Sequence, residues 1–255
     1  MLEVKRLCKS FGGVSAVDDV TFSVEAGSIH SVIGPNGAGK TTLFNLITGI
    51  YTPSAGQILF KNKDITGLRP DKLARLGMSR TFQNLQICMN MTACENVMLG
   101  AHLRLNHGIL AGMAHLRKLV RQDAACREEA LGFMQFAGVG QYGDSDASQM
   151  PFGALKRLEI ARALATKPSI LLLDEPAAGL NHTETGEISE LIKKIASSGL
   201  TVVLVEHDMK MVMHISDHVT VLNYGTKLAS GTVAEVRQNP AVISAYLGTT
   251  AQQEK

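Results

Sequence analysis

The stretch "SVIGPNGAGKTTLFNLITG", residues 31 to 49, constrains this chain more than any other feature. Gly34, Gly39, Lys40 and Thr41 stand in the GxxxxGKT spacing, after an apolar strand pattern and before a helical one, which is the setting of a phosphate-binding loop. The glycines let the backbone amides of residues 35 to 41 turn inward around a phosphate, and the following helix points its positive end at the same anion. Lys40 reaches the terminal phosphate oxygens and Thr41 supplies a hydroxyl to Mg²⁺. Pro35, Asn36, Gly37, Ala38 and Thr42 complete the expected nucleotide contacts.

The rest of the chain suits a core built around such a loop. At 255 residues it has room for one large domain or a core with a subdomain, and 45% hydrophobic against 19% charged residues is the balance of a globular α/β protein. A net charge of +2 with no long cationic run sets aside nonspecific nucleic-acid binding. Cys8, Cys88, Cys94 and Cys126 form no CxxC pair or metal-ligand spacing, so reduced structural thiols are expected. The N-terminus lacks the apolar core of a signal peptide, and no run of about 18 apolar residues suggests a membrane span.

Along the chain, "LEVKRLCKSF", "VDDVTFSVEAGSIHSVIG" and "QILFKNKDITG" read as short strands, giving a mixed β first third. From about Leu85 to Val139 the pattern turns helical. "QMPFGALKR", residues 149 to 157, leads into another helix through a proline, an aromatic and a glycine. The apolar runs "SILLLDE" and "LTVVLVEH" flank the amphipathic "HTETGEISELIKKIASSG", for which Thr183 is an expected N-cap and Gly199 a stop. Short apolar strands alternating with helices predict a buried parallel sheet. The ending "GTTAQQEK" reads as a frayed tail.

Further site candidates fall at strand ends. Asp174 closes "SILLLD", where its carboxylate can hold Mg²⁺ through water, and the adjacent Glu175 is placed to orient or deprotonate an attacking water. His207 follows the next strand, at the carboxyl edge where open α/β sheets bind ligands, and can hold that water and base in line. Gln83, in "SRTFQNLQ", can complete the Mg²⁺ shell and sense a terminal phosphate. Phe11, with Val17 beside it, suits either an adenine stack or ordinary core packing. His214 and His218 are assigned to a helical stretch, without a role.

In this order these residues resemble the ATP-binding subunit of ABC transporters: Phe11 as the A-loop aromatic, "GPNGAGKT" as Walker A, Gln83 as the Q-loop, "ILLLDE" as Walker B, Ala178 to Asn181 as the D-loop and His207 as the switch histidine. The fold this implies is a P-loop, RecA-like ATPase core with a parallel sheet, an antiparallel β subdomain and a helical signature subdomain. Its expected division is 1–84 and 155–240 as core, 85–154 as helical subdomain and 241–255 as tail. "PFGALKRLEIARALA", "LLLDEPAAGLNH", "VEHDMKMVM" and "NPAVISAYLG" are more narrowly similar to the longer of the two ATPases of high-affinity branched-chain amino acid importers, whose helical region is extended much as residues 101 to 125 extend it here.

That resemblance implies ATP and Mg²⁺ as cofactors, a second ATPase subunit, two transmembrane permeases and, indirectly, an extracytoplasmic substrate-binding protein, at the cytoplasmic face of a bacterial or archaeal membrane. Glu175, His207 and Lys40 become the catalytic set. Pro151, Phe152, Gly153 and Ala154 occupy the place of the LSGGQ signature, which caps ATP on the partner subunit; Pro151 replaces its serine and suits a first helical position. Residues 84 to 99, "NLQICMNMTACENVML", suit either a groove for a permease helix or plain packing. Rival readings are an ABC ATPase acting on ribosomes or DNA, a nonhydrolytic ATP-gated module, and a related transporter for urea, amides or lipopolysaccharide.

Overall fold

The computed structural model describes residues 1–102, 104 and 116–250. A six-stranded sheet forms the centre. It contains β3 (Ile29–Ile33), β6 (Met78–Arg80), β7 (Ile170–Asp174), β8 (Thr201–Val205), β9 (His218–Asn223) and β10 (Thr226–Thr232) in the order β10-β9-β3-β8-β7-β6. The pairings from β9 through β6 are parallel, and β10 closes on β9 antiparallel. A four-stranded antiparallel sheet, β2-β1-β4-β5, is built from β1 (Leu2–Phe11), β2 (Val14–Val24), β4 (Ala55–Phe60) and β5 (Lys63–Asp64).

Strand periodicity divides the core. Side chains alternate faces along a strand, so one face of the central sheet sends Val32, Leu172, Val203 and Val205 toward α1 (Lys40–Ile47) and the antiparallel sheet. The opposite face sends Leu171, Leu173, Val202 and Leu204 toward α3 (Ala93–Gly100), α4 (Leu116–Phe136), α5 (Phe152–Leu164), α6 (His182–Ser197) and α7 (Met209–Ile215). A strand buried on both faces is apolar along its length, which is why β7 reads as the run ILLL and turns polar only at Asp174, its last residue at the site edge. A short α2 (Pro70–Arg75) precedes β6, and α8 (Val233–Gln238) and α9 (Pro240–Thr250) follow β10.

Several local expectations change. Helix α6 begins at His182, not beyond Thr183, because Asn181 and Glu184 form a capping box: the Asn181 side chain accepts from the Glu184 amide while Glu184 accepts from the Asn181 amide. Gly199, at φ 90, does end it. His218 opens β9 instead of lying in a helix, and its ring stacks near His30. Residues 241 to 250, expected as tail, belong to α9, which places Tyr246 against the core. Residues 251–255 of that tail lie outside the described residues, as do 103 and 105–115 of the helical extension. All four cysteines are free thiols. Among the described residues, no helix is long and apolar enough to cross a membrane.

Candidate active site

The loop of residues 34 to 40 connects β3 to α1. Gly34, Gly37 and Gly39 have φ of 155, 79 and 96, all in the region that favours glycine. Two of them also lack room: a Cβ on Gly34 would press on the Leu222 carbonyl of β9, and one on Gly39 on the Ala16 carbonyl of β2. Gly37 meets nothing and is required by conformation alone. The loop is thus seated between both sheets, and the Ala38 carbonyl accepts from the Gly225 amide at 3.1 Å. From α9, the Tyr246 hydroxyl hydrogen-bonds the Gly34 backbone, and burial pushes its phenol up to about 12.

Lys40 opens α1 with its side chain folded back into the loop, where Nζ donates to the carbonyls of Gly34 at 2.8 Å and Pro35 at 3.0 Å. Burial lowers its pKa, and the negative charges of Glu175 and Asp174 oppose that shift. The loop floors a cavity of about 530 Å³ whose walls include Val14, Ser15, Ala16, Thr41, Thr42, Gln83, Glu175 and Tyr224. That volume is the size of a nucleotide-scale ligand site. A larger cleft of about 670 Å³ lies between β1, β2 and the β9–β10 hairpin around His30 and His218. It contains none of the motif residues, so the phosphate-loop cavity is the candidate site.

Of the expected catalytic residues, Lys40 and Glu175 line this cavity, and His207 stands outside its wall beside Glu175. Glu175 follows β7 with φ 48, an uncommon conformation for a side chain of its size and one that clusters at functional sites. Its amide donates to the Val205 carbonyl, and its Oε2 accepts from Gln83 Nε2 at 3.2 Å and stands 4.0 Å from His207 Nδ1. Asp174 is 2% exposed and its Oδ2 accepts from Arg80 Nη2 at 2.6 Å. The hydroxyl of Thr41 and these carboxylates are hard oxygen donors, which suit Mg²⁺. Among the described residues they do not amount to a cage of three carboxylate, His or Cys ligands. Mg²⁺ needs none when substrate phosphates and waters fill its shell.

Other expected contacts are not brought in. Val17 is fully buried in the core and absent from the cavity wall, to which β2 contributes Val14, Ser15 and Ala16. Phe11 is 42% exposed, edge-on to Tyr51 at 5.3 Å, and is not part of the cavity wall. Pro151 to Ala154, expected to meet ATP on a partner subunit, do not line this cavity. Pro151 is the N-cap of α5 (φ −59, ψ 150) and not its first helical residue; it and Phe152 are exposed. Gly153 is buried against Glu184, and Ala154 belongs to the core, which leaves its side chain unable to meet a ligand.

Three residues that sequence reasoning passed over contribute to the site. Arg80 holds Asp174. Glu206, fully buried, accepts from the amides of Ala177, His207 and Asp208, so it fixes the turn that carries His207 to the segment after Glu175. Tyr224, at φ 47 in the β9–β10 turn, stands 85% exposed on the cavity rim. Only Tyr224 carried a legible signal, as a bulky residue before glycine where a type I′ hairpin turn favours Asn or Asp.

A buried strand, a glycine loop opening a helix and two carboxylates at the carboxyl edge define a P-loop nucleoside-triphosphate-binding protein. The chain belongs to the ABC transporter family, whose model matches residues 17–178. A second family model, described as branched-chain amino acid ATP-binding cassette transporter, matches residues 226–252. The chain is 46% identical over 249 residues to the high-affinity branched-chain amino acid transport ATP-binding protein BraF of Pseudomonas aeruginosa, covering 97% of this chain and 98% of BraF. It is 43% identical, with the same coverage, to LivG of Escherichia coli K12, which bears the same description. A crystal structure of a nucleotide-free ATP-binding cassette from an ABC transporter superposes with a TM-score of 0.84 at 31% identity, covering 96% of this chain and 98% of that one.

Proposed function

We propose that this chain hydrolyses ATP to drive a branched-chain amino acid importer, working at the cytoplasmic face of the membrane with a second ATPase subunit and two permeases. The convergence of Gln83 and His207 on Glu175, which lines the phosphate-loop cavity, carries the reading of the site. The likeness to BraF and LivG over nearly the whole chain carries the cargo.

In this reading the loop amides and Lys40 grip the β- and γ-phosphates, with Lys40 exchanging its two carbonyl partners for phosphate oxygens. Thr41, Gln83 and Asp174 hold Mg²⁺, which when bound neutralises phosphate charge. Glu175 orients and deprotonates the attacking water, while His207, tethered through Glu206, keeps water and base aligned. The exposed Pro151 and Phe152 at the start of α5 face a partner's nucleotide, since they have no place at their own cavity.

The permease contact falls on a groove of about 250 Å³ walled by Ile50, Leu73, Phe82 and neighbours on α2 and β6. Phe82 of this groove is exposed, as are Met89 and Leu99 in the segment of residues 84 to 99. Copurification with the permease partners, followed by ATPase assays with candidate solutes, tests the reading. Stimulation by leucine, isoleucine or valine with the cognate binding protein is expected. Stimulation by urea or amides alone would refute the cargo.

A further inference from the structure

Arg80 is 9% exposed at its side chain and lines the 250 Å³ groove of α2 and β6. Its Nη2 donates to Asp174 Oδ2 at 2.6 Å. Its Nη1 donates to Asn45 Oδ1 and Thr48 Oγ1, both at 2.7 Å, and Nε donates to the Thr81 carbonyl at 3.3 Å. Phe44 and Phe82 cover the guanidinium at 5.7 and 5.0 Å. Desolvating a cation this far is costly unless its donors are satisfied, and neutralising one carboxylate does not require two further bonds to a helix.

The elements joined explain the arrangement. Asn45 and Thr48 belong to the end of α1, the helix whose first turn carries Thr41. Arg80 ends β6, three residues before Gln83, and Asp174 ends β7. One planar fork therefore spans the three elements that deliver Thr41, Gln83 and Asp174, and only a guanidinium offers several directed donors at fixed angles for that task.

We propose that Arg80 is the positioning residue of this nucleotide site, setting the spacing of Thr41, Gln83 and Asp174 by holding α1, β6 and β7 together. The proposal rests on the reading of those three residues as the Mg²⁺-holding set. Arg80 itself touches neither nucleotide nor metal. Its loss leaves the glycine loop and Lys40 in place, so it weakens metal-dependent binding and spares metal-free binding.

The test uses the isolated subunit with a fluorescent ATP analogue, titrated in EDTA and then against Mg²⁺, with melting temperature measured in parallel. Arg80→Met is expected to bind the analogue in EDTA within about twofold of wild type, yet to need about tenfold more Mg²⁺ for tight binding, the fold-change of one lost charge-assisted hydrogen bond. Arg80→Lys, whose point charge cannot span α1 and β7 together, falls between. If Arg80→Met melts below the assay temperature, Arg80→Lys decides by the same criterion. A wild-type Mg²⁺ requirement in the Arg80 variants beside a raised one in Asp174→Asn overturns the proposal. An unchanged requirement in Asp174→Asn as well overturns the metal reading with it. Loss of EDTA binding in step with melting makes Arg80 merely structural and also overturns the proposal.

Discussion

Acid should loosen this fold at one imidazole. His30 lies on β3, the strand that feeds the phosphate loop, and is 2% exposed. Its Nε2 pairs with Thr220 Oγ1 at 3.0 Å, and its ring lies between Phe22 at 5.3 Å and His218 at 6.5 Å. Glu3, Lys5, Glu25 and Lys227 line the same cleft. Burial first, and the charge of His218 second, push the His30 pKa from 6.5 down to about 4. Above 6.5 the ring is neutral whether the chain is folded or not, and it contributes no pH dependence. As pH falls from 6.5 to about 4, the unfolded chain takes up a proton that the folded chain refuses, and stability is lost through that window. At 1.36 kcal/mol per unit the loss amounts to about 3 kcal/mol. For a chain of this size that corresponds to a fall of about 6–12 °C in melting temperature. His30→Gln keeps a polar partner for Thr220 and removes the titration. Melting curves from pH 7.5 to 4 should therefore show a shallower acid slope in the variant, whatever its stability at pH 7.5. Parallel slopes would refute the reasoning.

Two further outcomes follow from the geometry. Gly34→Ala places a Cβ against the Leu222 carbonyl and should weaken nucleotide binding far more than Gly37→Ala. At Gly37 the new Cβ meets nothing and the cost is left-handed backbone strain of about 1–2 kcal/mol; equilibrium binding and melting of the two variants check the ranking. Pro151→Ser introduces an N-cap hydroxyl worth about 0.5–2 kcal/mol and gives up the rigidity of proline, worth about 0.4–1 kcal/mol, so the two nearly offset. ATPase activity of the assembled complex should stay within about tenfold, and a much larger gain would mean that the natural signature is crippled.

What the sequence made legible had a chemical constraint behind it. The phosphate loop was readable because three of its glycines sit at positive φ, two without room for a Cβ, and the β7 and β8 runs were readable because strands buried on both faces must be apolar throughout. The three-residue β6, directly after Gly77, has too little length for a period, and β9 escaped notice because His218 and the buried Thr220 interrupt the apolar run that marks β7 and β8. Val17 was named only as a neighbour of the Phe11 stack, and no local pattern showed that its side chain is buried in the core. The N-cap of α6 was placed two residues late, at Thr183, and the reciprocal bonds between Asn181 and Glu184 fix it at Asn181. Arg80 and Glu206 left no signal: each acts by bonding elements far apart in the chain, and nothing local distinguishes them from surface charges.

The central claim is that Glu175 activates water at an ATP site built by the phosphate loop. Glu175→Gln keeps the size of the side chain and removes the base. The measurement is ATP binding and turnover by the variant in the assembled complex. ATP binding within about twofold of wild type is expected, with nucleotide-bound dimers accumulating and turnover falling by about 10²- to 10⁴-fold. Near-normal turnover with intact binding would contradict the account.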